Sequence, residues 1–214
     1  ILNNGAAPST LTLNPAVNIT YFGALTDGAG QLALVKEGPL SQGLASNMTF
    51  TGSTRVNAGV LELVAAGSLP SSTNIIIAAG AAVAVTQRVD GALNLTTGQR
   101  LSGAGTLIGN VYSEGPVAPG VGVGMLNVAG SYTQLFSTLA IEIGGPVRGT
   151  DYDAISVSNE ALIAGCTLDV SFVNGYTGTV GHSFQLVSAA AAIGIFTTVN
   201  LPTLPSGQGW DLQI

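Results

Sequence analysis

Along most of this chain, apolar and polar residues alternate in short bursts, each closed by Gly, Asn or Pro. Alternation at period two sends successive side chains to opposite sides of an extended backbone. Each burst therefore predicts a strand with one buried face. The densest case is residues 49–63, TFTGSTRVNAGVLEL. It predicts strands at 49–51, 54–57 and 60–63, with a tight corner at Ala58-Gly59, where glycine reaches backbone angles closed to other residues. Upstream, residues 9–13, 17–22 and 30–35 alternate in the same way. Downstream the beat recurs at 74–77, 82–85, 92–95, 100–101, 105–112, 125–128 and 138–143. Residues 36–47 break it, and with Lys36-Glu37 at their head they read as an excursion, a solvated loop. From Asp151 onward longer and more aromatic strands are predicted at 151–157, 161–172, 182–187, 194–202 and 209–212.

Strand starts about 8–12 residues apart suit either a sandwich or a coil. Aromatic residues are only 6% of the chain, whereas a sandwich needs bulky inward residues to span ~10 Å between its sheets. Small residues (Ala, Gly, Ser) at inward positions suit a narrow interior, which stacks of Val, Leu and Ile would stabilise. The predicted fold is all-β: a parallel β-helix (β-solenoid) over residues 1–145, and a C-terminal β-rich segment over 146–214 that caps or continues it. At roughly 20 residues per coil, residues 1–140 make about seven rungs.

Composition narrows the function classes. Charged residues are 7% of the chain, against about 25% in an ordinary soluble protein. Hydrophobic residues reach 46%, yet no apolar run approaches the ~18 residues of a membrane helix. The longest tract, Ala189 to Phe196, is broken by Gly194, so no membrane span is expected. Net charge is −6, and Lys36, Arg55, Arg88, Arg100 and Arg148 are scattered singly. That pattern carries no footprint for nucleic acid or anionic lipid. Cys166 is the single cysteine, which excludes an intramolecular disulfide and reads as a small buried residue. Ile1-Leu2-Asn3-Asn4 opens into strand-like sequence without a basic leader, so the chain reads as a mature or trimmed segment.

The segment Phe50-Thr51-Gly52-Ser53-Thr54-Arg55-Val56-Asn57-Ala58-Gly59-Val60-Leu61-Glu62-Leu63, with Leu25 to Leu34 upstream, carries a resemblance. It is similar to the autotransporter-associated β-strand repeat of large bacterial surface proteins, whose pattern runs "LTKxGxGTLTL … YTGxTxVNxGTLxL". Gln31 and Val60 depart from it, standing where threonine is usual. Residues 113–145 resemble the "APGxxxGxLxVxGxYTQxxxSTLxIEIGG" arrangement of the same proteins. The stretch from Tyr152 to Trp210 resembles the block that closes many of them ahead of an outer-membrane barrel or a sorting signal. The resemblance implies a secreted or cell-surface protein of a Gram-negative bacterium. It is specific for a scaffold and nearly silent on chemistry.

Candidate chemistry is sparse. Asp151 and Asp153 form the one close acidic pair, and at i and i+2 of a strand they could share a calcium ion or act as acid and base. The competing reading is a polar loop mouth that caps a strand. His182, the sole histidine, lacks a Cys or His at ligand spacing. Gly120, Gly122 and Gly124 stand outside any βαβ unit and so make no dinucleotide fingerprint. Asn18, Asn47 and Asn94 head glycosylation sequons by pattern alone.

The expectation is a structural, surface-exposed or secreted scaffold. Open coil ends would let copies stack head to tail into a filament. An alternative is an adhesin that binds surface glycans through Thr/Asn/Ser ladders and Tyr112, Tyr132 and Tyr176. A polysaccharide lyase or hydrolase is disfavoured, because Asp27, Asp90, Asp169 and Asp211 are widely spread along the chain. No enzyme activity is expected, and no catalytic, cofactor-binding or metal-ligating residue is assigned.

Overall fold

A computed structural model describes residues 1–213. The chain winds as a parallel β-helix, and its strands pair in parallel throughout three sheets. The first face stacks Ser9–Leu13, Leu32–Lys36, Thr54–Val56, Asn74–Ile77, Arg100–Gly103, Val117–Pro119 and Thr138–Ile143. The second halves of Glu160–Phe172 and Ala191–Asn200 complete it. The second face stacks Ile19–Tyr21, Ser41–Leu44, Val60–Leu63, Ala82–Ala84, Thr106–Ile108, Met125–Ala129, Ala154–Val157 and Val187–Ser188. The third side opens with Leu2–Asn3 beside Thr26–Asp27. It resumes with Ala92–Leu95, Asn110–Ser113, Tyr132–Leu135 and the first halves of the two long strands.

Register makes the interior continuous. Leu11 pairs with Leu34, and Thr54, Ile75, Leu101, Val117, Leu139, Leu168 and Val199 follow in one inward column. Because the side-chain period is two, a slip of one residue would turn a whole strand's apolar set outward, so this column fixes the pairing. Thr54 is its one polar member, and Thr54 Oγ1 lies 2.9 Å from Ser72 Oγ, which donates to the Gly52 carbonyl at 3.0 Å. Coil length varies while the stacking does not: Leu34 to Thr54 is 20 residues, Leu101 to Val117 is 16, and Leu139 to Leu168 is 29.

The Ala58-Gly59 corner is present. Gly59 sits at φ +66°, and a Cβ there would meet the Gly38 and Leu40 carbonyl oxygens of the preceding coil at 2.5 and 2.6 Å. Glu160–Phe172 turns a corner without leaving the sheet, at Gly165 (φ +68°) and a register irregularity around Cys166.

Several details differ from the sequence reading. Large branched aliphatics, not small residues, hold the inward positions, as Leu61, Ile75, Ile77 and Leu107 show. Residues 49–51 form no strand, although Phe50 is fully buried. Residues 36–47 are no excursion: Ser41–Leu44 is a second-face strand, with Gln42, Gly43 and Leu44 buried. Lys36 is not solvated but fully buried, because it occupies an inward position in register with Leu13 and Val56. Its aliphatic stem fills that column, and its Nζ donates to the carbonyls of Glu37, Gly38 and Ala58 at 2.7, 2.9 and 3.2 Å. Within 182–187 only the last residue enters a strand, Val187–Ser188, and 209–212 forms none.

Beyond residue 146 the stacking goes on through Ala154–Val157, Glu160–Phe172, Val187–Ser188 and Ala191–Asn200. The loops beside it carry the aromatic residues. Phe172 packs edge-on to Tyr176 (centroids 5.2 Å) and lies 5.9 Å from Trp210, whose Nε1 donates to the Pro202 carbonyl. Ile193 and Ile195 are about half exposed on the terminal strand. No helix among the described residues is long and apolar enough to cross a membrane.

Candidate functional site

The outward positions of the first face form a concavity with charged walls. In the column beside the inward one, Arg55, Ile76, Ser102 and Ala118 follow in register, and Ala140 and Asp169 continue it because Val117 pairs with Leu139 next door. Small residues in the middle of that column leave a groove of about 350 Å³. Arg55 and, two strands further along, Arg100 line one half, and Glu142, Asp153 and Asp169 line the other.

The glycine-dense turn at 120–124 builds one wall. Gly103 and Gly120 exchange backbone hydrogen bonds at 3.0 and 2.9 Å, which pins the turn to the strand beneath it. Gly120 and Gly122 take φ of +83° and +80°, and Val121 stands exposed at the tip. Asp153 holds the far side. Its Oδ1 accepts the Gly124 N–H at 2.7 Å, and its Oδ2 accepts the Glu142 N–H at 2.8 Å. Burial pushes the Asp153 carboxyl up to about 7; the two N–H donors work against that shift and the nearby Glu142 charge adds to it.

The remaining groove groups are uncommitted. Arg55 Nε donates to Asn57 Oδ1 at 2.6 Å, leaving its terminal nitrogens without a protein partner among the described residues. The side chains of Arg100, Glu142, Asp169 and Ser171 likewise have no hydrogen-bond partner there. Arg88 and Asp90 form the one ion pair among the described residues, away from the groove.

The structure separates the acidic pair singled out in the sequence. Asp151 and Asp153 lie outside the strand that starts at Ala154, so the i, i+2 geometry does not apply. Asp151 Oδ2 closes a turn on the Val147 N–H at 3.1 Å, while Asp153 reaches into the groove wall. Of the four scattered aspartates, only Asp169 reaches the groove. Asp27 binds Thr51 Oγ1 at 2.6 Å and the Leu32 N–H at 2.7 Å, bonds that hold its carboxyl below the usual range. The Arg88 guanidinium does the same for Asp90. Asp211 is exposed in the tail.

Tyr132 is buried, not displayed: its hydroxyl donates to Gln134 Oε1 at 2.6 Å, and burial raises its pKa well above the ordinary value. Tyr112 is exposed on the third face. Tyr176 stacks parallel to His182, with its hydroxyl 2.7 Å from Nδ1. The sequon residues serve the outward ladders. Asn18 Oδ1 accepts the Ser41 N–H, Asn47 Oδ1 accepts the Ser68 hydroxyl, and Asn94 Nδ2 donates to Asp90. Cys166 is fully buried, with Sγ 3.2 Å from the Gln134 carbonyl.

The sequence reading counted Arg100 among the scattered basic residues and left Glu142 inside a strand, singling out neither as a site residue. Both stand at outward positions of alternating strands, and that signal marks them as groove residues once the coils are stacked. No protein-family model matches the chain, and no match was found among curated proteins or solved structures.

Proposed function

We propose that the chain is a structural β-solenoid of an exported bacterial surface protein, akin to the autotransporter-associated repeat proteins, and that copies associate end to end. The inward column from Leu11 to Val199 carries this reading. Half-buried residues stand at both of its ends: Leu11 and Leu13 at one, Phe196, Val199 and Leu201 at the other. Ile1, Leu2 and Ile19 are more than half exposed beside the first end. Ser9–Leu13 and Ala191–Asn200 each pair on one side only, so each offers a free row of backbone donors and acceptors. A second copy set head to tail would extend the column and both ladders. Such a heterologous contact grows into a fibre when its rotation does not close. The reading assigns the chain no reaction.

Sedimentation velocity and negative-stain microscopy over a concentration series test it. Linear oligomers are expected, and Leu11→Lys or Val199→Lys, which set a charge at a coil end, should disperse them. Monomers at every concentration overturn the end-to-end reading.

A further inference from the structure

We propose that the first-face groove binds a linear oligosaccharide lengthwise, with an acidic sugar at the Arg55–Arg100 end and neutral sugars at the Glu142–Asp169 end. The groove follows the stacking axis. Arg55 and Asp169 occupy one column five strand spacings apart, which is ~24 Å at ~4.8 Å per strand. A ligand that touches both must be extended.

Chemistry narrows its class. A guanidinium offers only donors and an ionised carboxylate only acceptors. Sugar hydroxyls both donate and accept, so a chain of them can satisfy Arg100, Glu142, Asp169 and Ser171 in turn. These four groove side chains have no protein partner among the described residues, and a ligand's hydroxyls would give them one. The floor of Ser102, Ala118 and Ala140 is small, so a bulky ring meets no obstruction. Nucleic acid fits poorly, because the net charge is −6 and the carboxylates of Glu142 and Asp169 line one half. A peptide strand fits poorly too: it needs a free sheet edge or side-chain pockets, and every first-face strand at the groove is paired on both sides.

Polarity sets the direction. The two arginines match a carboxylate with bidentate geometry, while Glu142 and Asp169 repel one and accept hydroxyl protons. An oligosaccharide acidic along its whole length would be rejected at that second end. This proposal is independent of end-to-end assembly, since the groove lies on the side of the coil and none of its lining residues belongs to a terminal strand.

Titration calorimetry on the full chain tests it with linear gluco-, xylo- and galacto-tetraoses, each with and without one terminal uronic acid. At least one capped tetraose should bind, and more tightly than its neutral parent. Arg55→Ala with Arg100→Ala should weaken the capped form about tenfold or more and leave the neutral parent nearly unchanged. Glu142→Gln with Asp169→Asn should weaken both. All four residues are outward, and an unchanged melting curve checks that each variant folds. No binding by any probe up to ~10 mM, at the weak end of measurable affinity, overturns the proposal. So does binding that ignores both variant pairs, or a preference for a fully acidic chain.

Discussion

Lys36 and Ala58 stand 22 residues apart, yet the Lys36 ammonium donates to the Ala58 carbonyl at 3.2 Å and so ties one coil to the next. The same Nζ holds two carbonyls of its own corner. Burial lowers the pKa of this lysine, and Glu37 beside it pulls it back up. Lys36→Met keeps the aliphatic stem but strands three corner carbonyls. A loss of about 2–4 kcal/mol is expected, since hydrogen bonds to charged groups contribute about 1.5–3 kcal/mol and orphaned buried acceptors add to that. Urea denaturation measures it. A loss below ~0.5 kcal/mol, the range of an ordinary surface change, would show that the carbonyls find other donors.

Asp153 predicts an acid-side gain in stability. Its carboxyl is raised from 3.8 to about 7 in the folded chain, so the folded state holds this proton more tightly than the unfolded state. The contribution is full below pH ~4 and is lost as pH climbs to ~7. Asp27 and Asp90 are shifted the other way and contribute above their unfolded pKa, losing that contribution as pH falls below ~4. Melting temperature should therefore decline between pH ~4 and ~7. Asp153→Asn should flatten that decline while losing one hydrogen bond, because its amide nitrogen cannot accept an N–H. An unchanged slope would place the titrating group elsewhere.

Two glycines with similar backbones should respond differently to alanine. Gly59 (φ +66°) lies against the carbonyls of the coil below, whereas an added Cβ at Gly80 (φ +78°) meets nothing within 4 Å. Gly80→Ala should cost about 1–2 kcal/mol, the conformational penalty alone. Gly59→Ala should cost clearly more, because backbone atoms must also shift. Equal losses would mean that the corner relaxes freely.

Cys166 should be silent in the native chain. Its thiol is fully buried at the corner of the long strand, with Sγ beside the Gln134 carbonyl. A thiol reagent should label it at the rate of unfolding, and fully in guanidinium. Rapid native labelling would show that this corner opens on its own.

The fold was largely legible because most strands display their pattern in isolation: Leu61 and Leu63 flank Glu62, and Leu93 and Leu95 flank Asn94. Lys36 misled because its type says surface, while its register with Leu13 and Val56 says interior. Phe50 shows the converse, an inward residue on a stretch with no ladder. The groove was hidden for a different reason. Glu142 and Asp169 are 27 positions apart along the chain, and only the pairing of Ala140 with Asp169 sets their strands side by side. Turn length decides that pairing, and nothing in the alternation of either strand reports it.

The uneven coils have an architectural consequence. From 16 to 31 residues pass between stacked positions, yet each turn advances the stack by a single strand spacing. Surplus chain is extruded sideways at the corners and adds no height. New sequence can therefore be grafted at such bends without disturbing the pitch, so the molecule resembles a ruler with fixed graduations on which lateral cargo of arbitrary size can be hung.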